Sequence, residues 1–451
     1  MSTRTRDMTM GNPLGLLVRF SVPLMIGGVF QQLYTIVDTM VVGKVLGVQA
    51  LAAVGAVEWL NWMIVNLIQS LMQGFAILIA QEFGAKRIGK LKDVLGSSIV
   101  MAALAGGIFL LFGQGIAAQG LRLLQIPKEI IGNSLLYVRV LFCGIPVVTA
   151  YNLFACILRS LGDSQTPLRA MAIASVINIA LDLLFVLVLG WGIAGAAIAT
   201  VLAQVSSAGY CWLRLRGMDL MALTKAHYQV KPLLWGEMLK LSLPVIFQTV
   251  VIAVGGLVLQ GVINSFGVLY VAAYTATNKI LIVMESCSIS YGYAMLTYTG
   301  QNYGASKFHR IRQGVNAGNL ICLITSLVLS PIAIIWGREI LLLFISGSAA
   351  EVQQTIEIAY VYLQIISYLL PVLYTIYIVR SALQAIGDTV IPMVSGIVEL
   401  VMRVGGALLL PMLFAQVTVF FSGPLAWFGA NFILYPVYFY RLKKLCAQEK
   451  K

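Results

Sequence analysis

The sequence predicts an all-α membrane protein with twelve transmembrane helices in two pseudo-symmetric six-helix lobes. Three observations predict this class: few charged residues, apolar stretches long enough to cross a bilayer, and an internal repeat. Apolar residues make up 60% of the 451 positions and charged residues only 10%, and the mean hydropathy is +0.91. A soluble domain carries about 25% charged residues, so the lipid bilayer must be the main solvent of this chain.

The apolar stretches recur along the whole chain. Each has about 20 residues or more, the length of helix that crosses roughly 30 Å of hydrocarbon. Polar connections separate them, and the longest lies between the sixth and seventh stretches. We predict spans near residues 16–43, 50–80, 94–113, 134–157, 167–189, 193–213, 240–266, 271–299, 314–336, 355–385, 390–413 and 418–440.

The net charge of +13 is unevenly distributed. Basic residues cluster after even-numbered spans and in the tail, whereas few follow odd-numbered spans. The clustered residues are Lys86, Arg87, Lys90, Lys92, Arg159, Arg169, Arg214, Arg216, Lys225, Lys231, Lys240, Lys307, Arg310, Arg312, Arg441, Lys443, Lys444, Lys450 and Lys451. The positive-inside rule then places these connections and both termini on the cytoplasmic side of the membrane. The charge is therefore a topology signal, and we expect no nucleic-acid partner.

The two halves of the sequence resemble each other. Six spans per half is an even number, so both halves enter the membrane from the same side. Such parallel repeats place a transport path between two lobes and favour an alternating-access carrier over a channel. The matching segments are FSVP (20–23) with LSLP (241–244), QEFGA (81–85) with QNYGA (301–305), and LRSLGDSQTP (158–167) with LQAIGDTVIP (383–392), at offsets of 221, 220 and 225.

Together these patterns predict five segments. The first is a cytoplasmic N-terminal segment (1–15), followed by an N-lobe with six spans (16–213). A cytoplasmic linker (214–239) leads to a C-lobe with the other six spans (240–440), and a basic cytoplasmic tail (441–451) ends the chain.

Several short sequence motifs are distributed along most of the chain, and together they are characteristic of one protein family. They are NPLG (12–15), FSVP (20–23), QQLYTIVDTMVVG (31–43), ALAAVG (50–55), QEFGA (81–85) and the paired GD-x-x-x-P loops. In these motifs the chain resembles the multidrug and toxic compound extrusion (MATE) family, most closely its MepA-like bacterial branch, from about Asn12 to Leu445. The resemblance implies efflux of small amphipathic cationic drugs in exchange for H⁺ or Na⁺. It implies a monomeric transporter without a cofactor, and not an enzyme.

Two acidic residues lie at membrane depth without a basic residue within one helical turn. Asp38 lies in the first span, one turn after Tyr34, and Asp182 lies in the fifth span, one turn after Asn178. Charge at this depth costs a few kcal/mol or more, so such acids either serve a function or are neutral groups that fix helix packing. An unpaired carboxyl in apolar surroundings can exchange a proton near neutral pH. The same oxygens can also ligate Na⁺.

The family resemblance assigns roles to these residues. It implies a cation-coupling site in the amino lobe made by Asp38, Asp182 and Asn178. It adds Tyr34 and, on the sixth span, Thr200. A metal ion is expected only in the form of Na⁺ at Asp38 and Asp182.

The corresponding position in the second half has different chemistry. A shift of 221 residues takes Asn178 and Asp182 to Glu399 and Arg403. Glu one turn before Arg is the favourable order for an intrahelical ion pair, so this pair is either a structural strut or a substrate contact. The seventh span carries no acid, unlike one branch of the family, which concentrates the expected coupling chemistry on the first half.

Other polar or soft side chains are candidates for a substrate cavity. Glu285, with Met284 and Tyr291 nearby, can attract a cationic aromatic ligand through charge and cation–π attraction; these residues can equally be ordinary packing. Each of the remaining polar residues either lines a cavity or hydrogen-bonds a neighbouring helix. They are Gln32, Asn66, Gln69, Asn152 and Gln248.

Two other functions compete with multidrug antiport. A lipid-linked oligosaccharide flippase of the same wider superfamily would favour a basic cleft for pyrophosphate, which the sequence does not clearly show. A membrane-embedded enzyme would need a catalytic constellation at membrane depth, but His227 and His309 fall in connections. No Walker A pattern is present, so ATP drive within this chain is not expected. The six cysteines show no C-x-x-C spacing, which argues against a metal or redox site.

Overall fold

The computed structural model describes residues 6–124, 126–345 and 348–449 and contains no strand within these ranges. Lys450 and Lys451 of the predicted tail, and the first five residues, lie outside the described residues. The described residues form fourteen α-helices. They are α1 (Pro13–Leu46), α2 (Val48–Gly84), α3 (Ile88–Leu123), α4 (Lys128–Cys143), α5 (Ile145–Ser160), α6 (Gln165–Asp182), α7 (Gly192–Arg216), α8 (Pro232–Ser265), α9 (Val268–Gly304), α10 (Phe308–Ile335), α11 (Gly337–Leu342), α12 (Ala349–Ala385), α13 (Val390–Leu413) and α14 (Ser422–Glu449).

These helices confirm the predicted fold class. Eleven described helices are long and apolar enough to cross a membrane, and the number is twelve when α4 and α5 count as one span. The two halves of that span meet at 46°. Pro146 is at the start of α5 and lacks the N–H that would continue the helix. Gly144 at the bend lets α7 approach closely, because a Cβ there would lie 2.7 Å from Val201.

The helices form two compact units, each with its own core. Among the described residues, unit 1 contains Arg6, Asp7 and Val22–Ser242, and unit 2 contains Met8–Ser21 and the residues from Leu243 to Glu449. The chain passes between the units after Asp7, inside α1 and inside α8. The two crossings that lie inside helices fall within two residues of a proline, Pro23 in α1 and Pro244 in α8. The repeated FSVP and LSLP motifs therefore mark equivalent points of the fold.

Residues Met8–Ser21 pack with unit 2, whereas the sequence-based boundaries place 16–21 in the N-lobe. Met8 is fully buried. Its backbone N–H donates to Oε1 of Gln301 at 2.8 Å, and Nδ2 of Asn302 donates to its carbonyl at 3.1 Å. Nζ of Lys307 donates to the carbonyl of Thr9 at 2.9 Å. The QNYGA repeat thus provides the polar partners that hold the start of the chain.

The predicted linker belongs to unit 1. Nζ of Lys92 donates to the carbonyl of Ala222 at 3.2 Å, and Lys231 forms an ion pair with Asp93. A Cβ at Gly96 would lie 2.2 Å from the carbonyl oxygen of His227. The linker therefore follows the surface of α3 closely, and the lack of a side chain at Gly96 makes this approach feasible.

The paired GD-x-x-x-P loops have the same construction in both units. Gly162 and Gly387 have φ of 86° and 93°, values in the left-handed region that glycine adopts most easily. The Asp163 carboxylate accepts from the N–H of Thr166 at 2.9 Å, and the Asp388 carboxylate accepts from the N–H of Ile391 at 3.4 Å. Each loop thus ends one helix and caps the next.

Candidate functional site

The predicted coupling residues of unit 1 lie on α1 and α6, which are held together by a polar contact. Oγ of Ser175 on α6 donates to the carbonyl of Phe30 on α1 at 3.2 Å. Both helices are odd-numbered spans, so they cross in the same direction. Asp182 and Asp38, seven and eight residues beyond this contact, therefore reach a similar level. The two carboxyl groups are close enough to interact electrostatically.

The polar atoms of this cluster are buried and lack partners. Asp182 and Asn178 are 0% exposed and Asp38 is 8% exposed. Among the described residues, no hydrogen bond reaches Oδ1 of Asp38, either oxygen of Asp182, or the amide oxygen and nitrogen of Asn178. Buried polar groups in folded proteins are nearly always hydrogen-bonded. The cluster therefore presents unused oxygen ligands that can accept a proton or a hard cation.

Two tyrosines lie beside these acids. Tyr34 and Asp38 interact electrostatically, and Gln204 on α7 lies next to the Tyr34 hydroxyl. Tyr137 on α4 is buried and lies within electrostatic reach of both Asp38 and Asp182. The sequence analysis missed Tyr137 and Gln204. Their polar groups on otherwise apolar helices were the only available signal, and that signal does not distinguish them from many similar residues.

The backbone changes at the end of α6. Residues Leu183–Val188, directly after Asp182, form a π-helical turn. Single π turns inside α-helices are rare and occur often at functional sites. Thr200 on α7, the other expected site residue, donates to its own helix at the carbonyl of Ala196, 3.1 Å away. The lone pairs of its hydroxyl stay available, but no hydrogen bond joins Thr200 to the two acids within the described residues.

Unit 2 contains a second polar cluster, centred on Glu399 of α13. One carboxylate oxygen accepts a hydrogen bond from the guanidinium of Arg380 of α12. The other oxygen lies 3.7 Å from the guanidinium of Arg403. The ion pair between Glu399 and Arg403 that the sequence predicts within α13 is therefore present, but it is the longer of the two contacts that Glu399 makes. The principal partner of Glu399 is Arg380, which the sequence analysis did not select.

Glu285 of α9 belongs to the same cluster. Tyr377 of α12 donates its hydroxyl to Oε1 of Glu285 at 2.6 Å. Glu285 also interacts electrostatically with Arg403, Glu399 and Arg380. Gln248 of α8 accepts from Nε2 of Gln384 at 3.2 Å. Four helices of unit 2 thus contribute polar side chains to this region.

Within the described ranges, no hydrogen bond joins the other candidate cavity residues to either cluster. Asn66 and Asn152 donate to carbonyls of their own helices, at Trp62 and Val148, each at 2.8 Å. Met284 and Tyr291 are buried; the carbonyl of Met284 accepts from Tyr374, and the hydroxyl of Tyr291 meets that of Thr325 at 2.6 Å. These contacts serve packing. Gln32 and Gln69 are half-buried.

No group of three or more His, Cys, Asp and Glu side chains in the described ranges is arranged to hold a metal ion. The fold and the two clusters define a polytopic membrane protein that buries ionisable residues inside two repeated helical units. In membrane proteins such residues mark ion and substrate pathways. This organisation is typical of membrane transporters built from repeats.

Comparison with known proteins identifies the family. The MatE family matches residues 23–184 and 244–409, so the chain belongs to this family of transporters. It is 29% identical to the probable multidrug resistance protein YoeA of Bacillus subtilis, over 84% of this chain and 82% of YoeA. Its identity to the multidrug export protein MepA of Staphylococcus saprophyticus is 24%, over 60% of this chain and 61% of MepA. A crystal structure of a MATE protein in the bent conformation superposes with a TM-score of 0.91 at 22% identity, over 100% of both chains. The predicted family membership is confirmed.

Proposed function

We propose that this protein is a secondary active multidrug efflux antiporter. It exports amphipathic, mostly cationic compounds in exchange for H⁺ or Na⁺, and it alternates access through movement of its two units. The observation that carries the coupling part of this proposal is the pair Asp38 and Asp182, whose buried oxygens lack partners among the described residues. Multidrug efflux itself is supported by the names of the relatives YoeA and MepA.

The unit 1 cluster supports exchange because its acids can change between a neutral and a charged state. A permanent salt bridge would hold a carboxylate ionised, but no Lys or Arg pairs with Asp38 or Asp182 in the described ranges. A bound proton or Na⁺ would neutralise the buried carboxylate. Its release would again leave an uncompensated negative charge in apolar surroundings, which is unfavourable in free energy. A bound cationic drug can compensate that charge in turn. Competition for the same carboxyls would couple the two fluxes.

The two-unit organisation supports alternating access. The main chain connects the units inside α1 and inside α8, next to Pro23 and Pro244. A proline inside a helix removes one backbone hydrogen bond and permits bending. We expect these two helices to act as hinges when the units move. We further propose that both termini are cytoplasmic in a bacterial inner membrane, in agreement with the distribution of basic loops.

Dye transport in proteoliposomes tests this proposal. Vesicles containing the purified protein are loaded with ethidium, and its movement is followed by fluorescence after imposing either a pH gradient or a Na⁺ gradient, with the membrane potential clamped. Acceleration by one gradient identifies the coupling ion. Vesicles with Asp38→Asn protein provide the matched control and should behave like protein-free vesicles. Dye movement that responds to neither gradient in the wild-type protein would refute antiport.

A further inference from the structure

The residues that precede α1 belong to both units. Residues 6–12, which we call the N-terminal strap, form no helix. Arg6 and Asp7 belong to unit 1, whereas the strap from Met8 onward belongs to unit 2. Within the described ranges, this crossing between the units is the one that no helix carries. It can therefore come apart without the loss of helical hydrogen bonds.

The unit 2 end of the strap is held by basic side chains. Besides the contacts that hold Met8, the guanidinium of Arg310 donates to the carbonyl of Gly11 at 2.9 Å. Nε of Arg310 donates to Oδ1 of Asn302 at 3.1 Å, which orients the guanidinium toward the strap. Lys307 binds the carbonyl of the next strap residue after Met8. Hydrogen bonds from charged donors are stronger than neutral ones, so this end is firmly attached.

The internal repeat shows that unit 2 differs from unit 1 at this attachment. Glu82 of unit 1 corresponds to Asn302 of unit 2, at the offset of 220. The Glu82 carboxylate forms ion pairs with Arg87 at 2.7 Å and Lys90 at 3.1 Å. The two basic residues of unit 2 that bind the strap occupy the positions of Arg87 and Lys90. Because an amide replaces the acid in unit 2, these cations are available for the carbonyls of the strap.

The unit 1 end of the strap lies against a glycine of the first GD-x-x-x-P loop. A Cβ at Gly162 would lie 2.2 Å from the carbonyl oxygen of Arg6 and 2.9 Å from its backbone nitrogen. Backbone therefore packs directly on backbone, and any larger residue at position 162 would push the strap away. This contact depends on close fit, whereas the unit 2 end buries Met8 completely. We therefore expect the unit 1 end to detach first.

The length of the strap limits how far the units can move while both ends stay attached. Arg6 and Met8 are two residues apart, and two residues span at most about 7 Å when fully extended. Any movement that takes the two attachment points further apart must break one of them. We infer that the strap is a detachable fastener, which secures the described conformation and leaves the Gly162 loop once in each transport cycle. This inference rests on the proposed antiport and adds a third moving connection to the two helical hinges.

Limited proteolysis during transport tests the inference. Trypsin cleaves after Arg6 only when the strap has left the loop, and cleavage of a transiently opened segment follows the population of the open form. Trypsin is added outside proteoliposomes, where it reaches the molecules whose termini face outward. Intact-mass spectrometry then measures the loss of residues 1–6. We expect this cleavage to be at least about threefold faster during gradient-driven ethidium transport than without dye and gradient. Cleavage after Arg216, which is exposed at the start of the linker within unit 1, should keep the same rate.

A matched pair of alanine variants tests the contact itself. Gly162→Ala should release the strap without any substrate and accelerate cleavage after Arg6 about tenfold in detergent. The control is Gly47→Ala, because Gly47 has a nearly identical φ of 84° but open space around it. This variant has the same backbone strain and should be cleaved at the wild-type rate.

Two results would overturn the inference, and a third concerns the proposed function. Equal cleavage of the Gly162 and Gly47 variants would show that the loop does not hold the strap. If the Gly162 variant does not fold, the wild-type comparison decides alone. Unchanged cleavage after Arg6 while ethidium is transported would exclude detachment but leave antiport intact. Absence of gradient-driven transport would instead count against the proposed function, and with it against a strap that opens in each cycle.

Discussion

Units 1 and 2 share a helical plan but differ in the partners of their buried acids. In unit 1, Asp38 and Asp182 have carboxylate oxygens without partners among the described residues. In unit 2, Glu399 lies between Arg380 and Arg403. An unpartnered acid can exchange a cation, whereas the charge of a paired acid is already balanced by a guanidinium. The duplicated fold thus carries unpartnered acids in unit 1, where we propose ion exchange, and paired charges in unit 2.

The strongest test of this contrast is Asp38→Asn. The amide has the shape of the acid but cannot take up or release a proton and is a weaker ligand for Na⁺. We expect gradient-driven dye transport to fall to the level of protein-free vesicles, while the unfolding temperature in detergent stays the same or rises, because no existing ion pair is lost. The matched control is Asp219→Asn, an exposed acid in the linker, which should transport normally. Full transport by the Asp38 variant would remove the proposed coupling site.

The next largest effect should follow from Arg380→Met. This change leaves Glu399 buried with only the longer contact to Arg403, and breaking one side of a buried ion pair costs about 3–5 kcal/mol. Denaturant titration of the purified protein should show this loss of unfolding free energy. The double variant Arg380→Met, Glu399→Leu removes both charges and should recover most of the loss. A double variant no more stable than the single one would show that the pair is not the source of the effect.

A smaller effect is expected for Tyr377→Phe. The change deletes the hydroxyl that donates to Glu285 at 2.6 Å and keeps the ring. A hydrogen bond to a carboxyl group contributes about 1.5–3 kcal/mol when the group is ionised. We expect a decrease in unfolding free energy near the lower end of that range, because Glu285 is only half-buried and water can replace the hydroxyl. Tyr440→Phe, at an exposed tyrosine of α14, should change stability far less.

The smallest effect on stability, but an informative one, is expected for Asn178→Leu. Both polar atoms of this buried amide lack partners in the described ranges, so an apolar side chain of similar volume should leave the unfolding free energy unchanged or raise it by up to about 1 kcal/mol. Dye transport should nevertheless decrease strongly if the amide belongs to the coupling site. A large loss of stability would instead indicate that Asn178 is a structural hydrogen-bonding residue.

The position of each span along the chain could be read from the sequence, but several helices extend well beyond the predicted stretches: α3 covers Ile88–Leu123, where 94–113 was predicted. The bilayer requires about 20 consecutive apolar residues per span, and this requirement is visible position by position. The bend between α4 and α5 was not predicted, although Gly144 and Pro146 mark it in retrospect. Similarly, the helical spacing of Tyr34 with Asp38 and of Asn178 with Asp182 placed each pair on one helix face. It did not show that Tyr137 lies beside both acids.

The long-range partners required the tertiary structure. Arg380 precedes Glu399 by 19 residues and lies on a different helix, so no periodicity links them. The same holds for Tyr377 with Glu285, and for Met8 with Gln301, which are separated by 293 residues. The sequence-based boundary of the N-lobe therefore differed from the packing of Met8–Ser21, which depends on polar groups at the ends of α9 and α10.

The sequence by itself determined the class of fold, the number of spans and the duplication, because hydrophobic length and charge distribution act locally along the chain. It also located the unpaired acids of the first half, since the absence of a nearby basic residue is a local property. Only the tertiary structure decided which side chains complete each cluster. Contacts between helices depend on their rotation and relative depth, and these are set by packing over the whole unit.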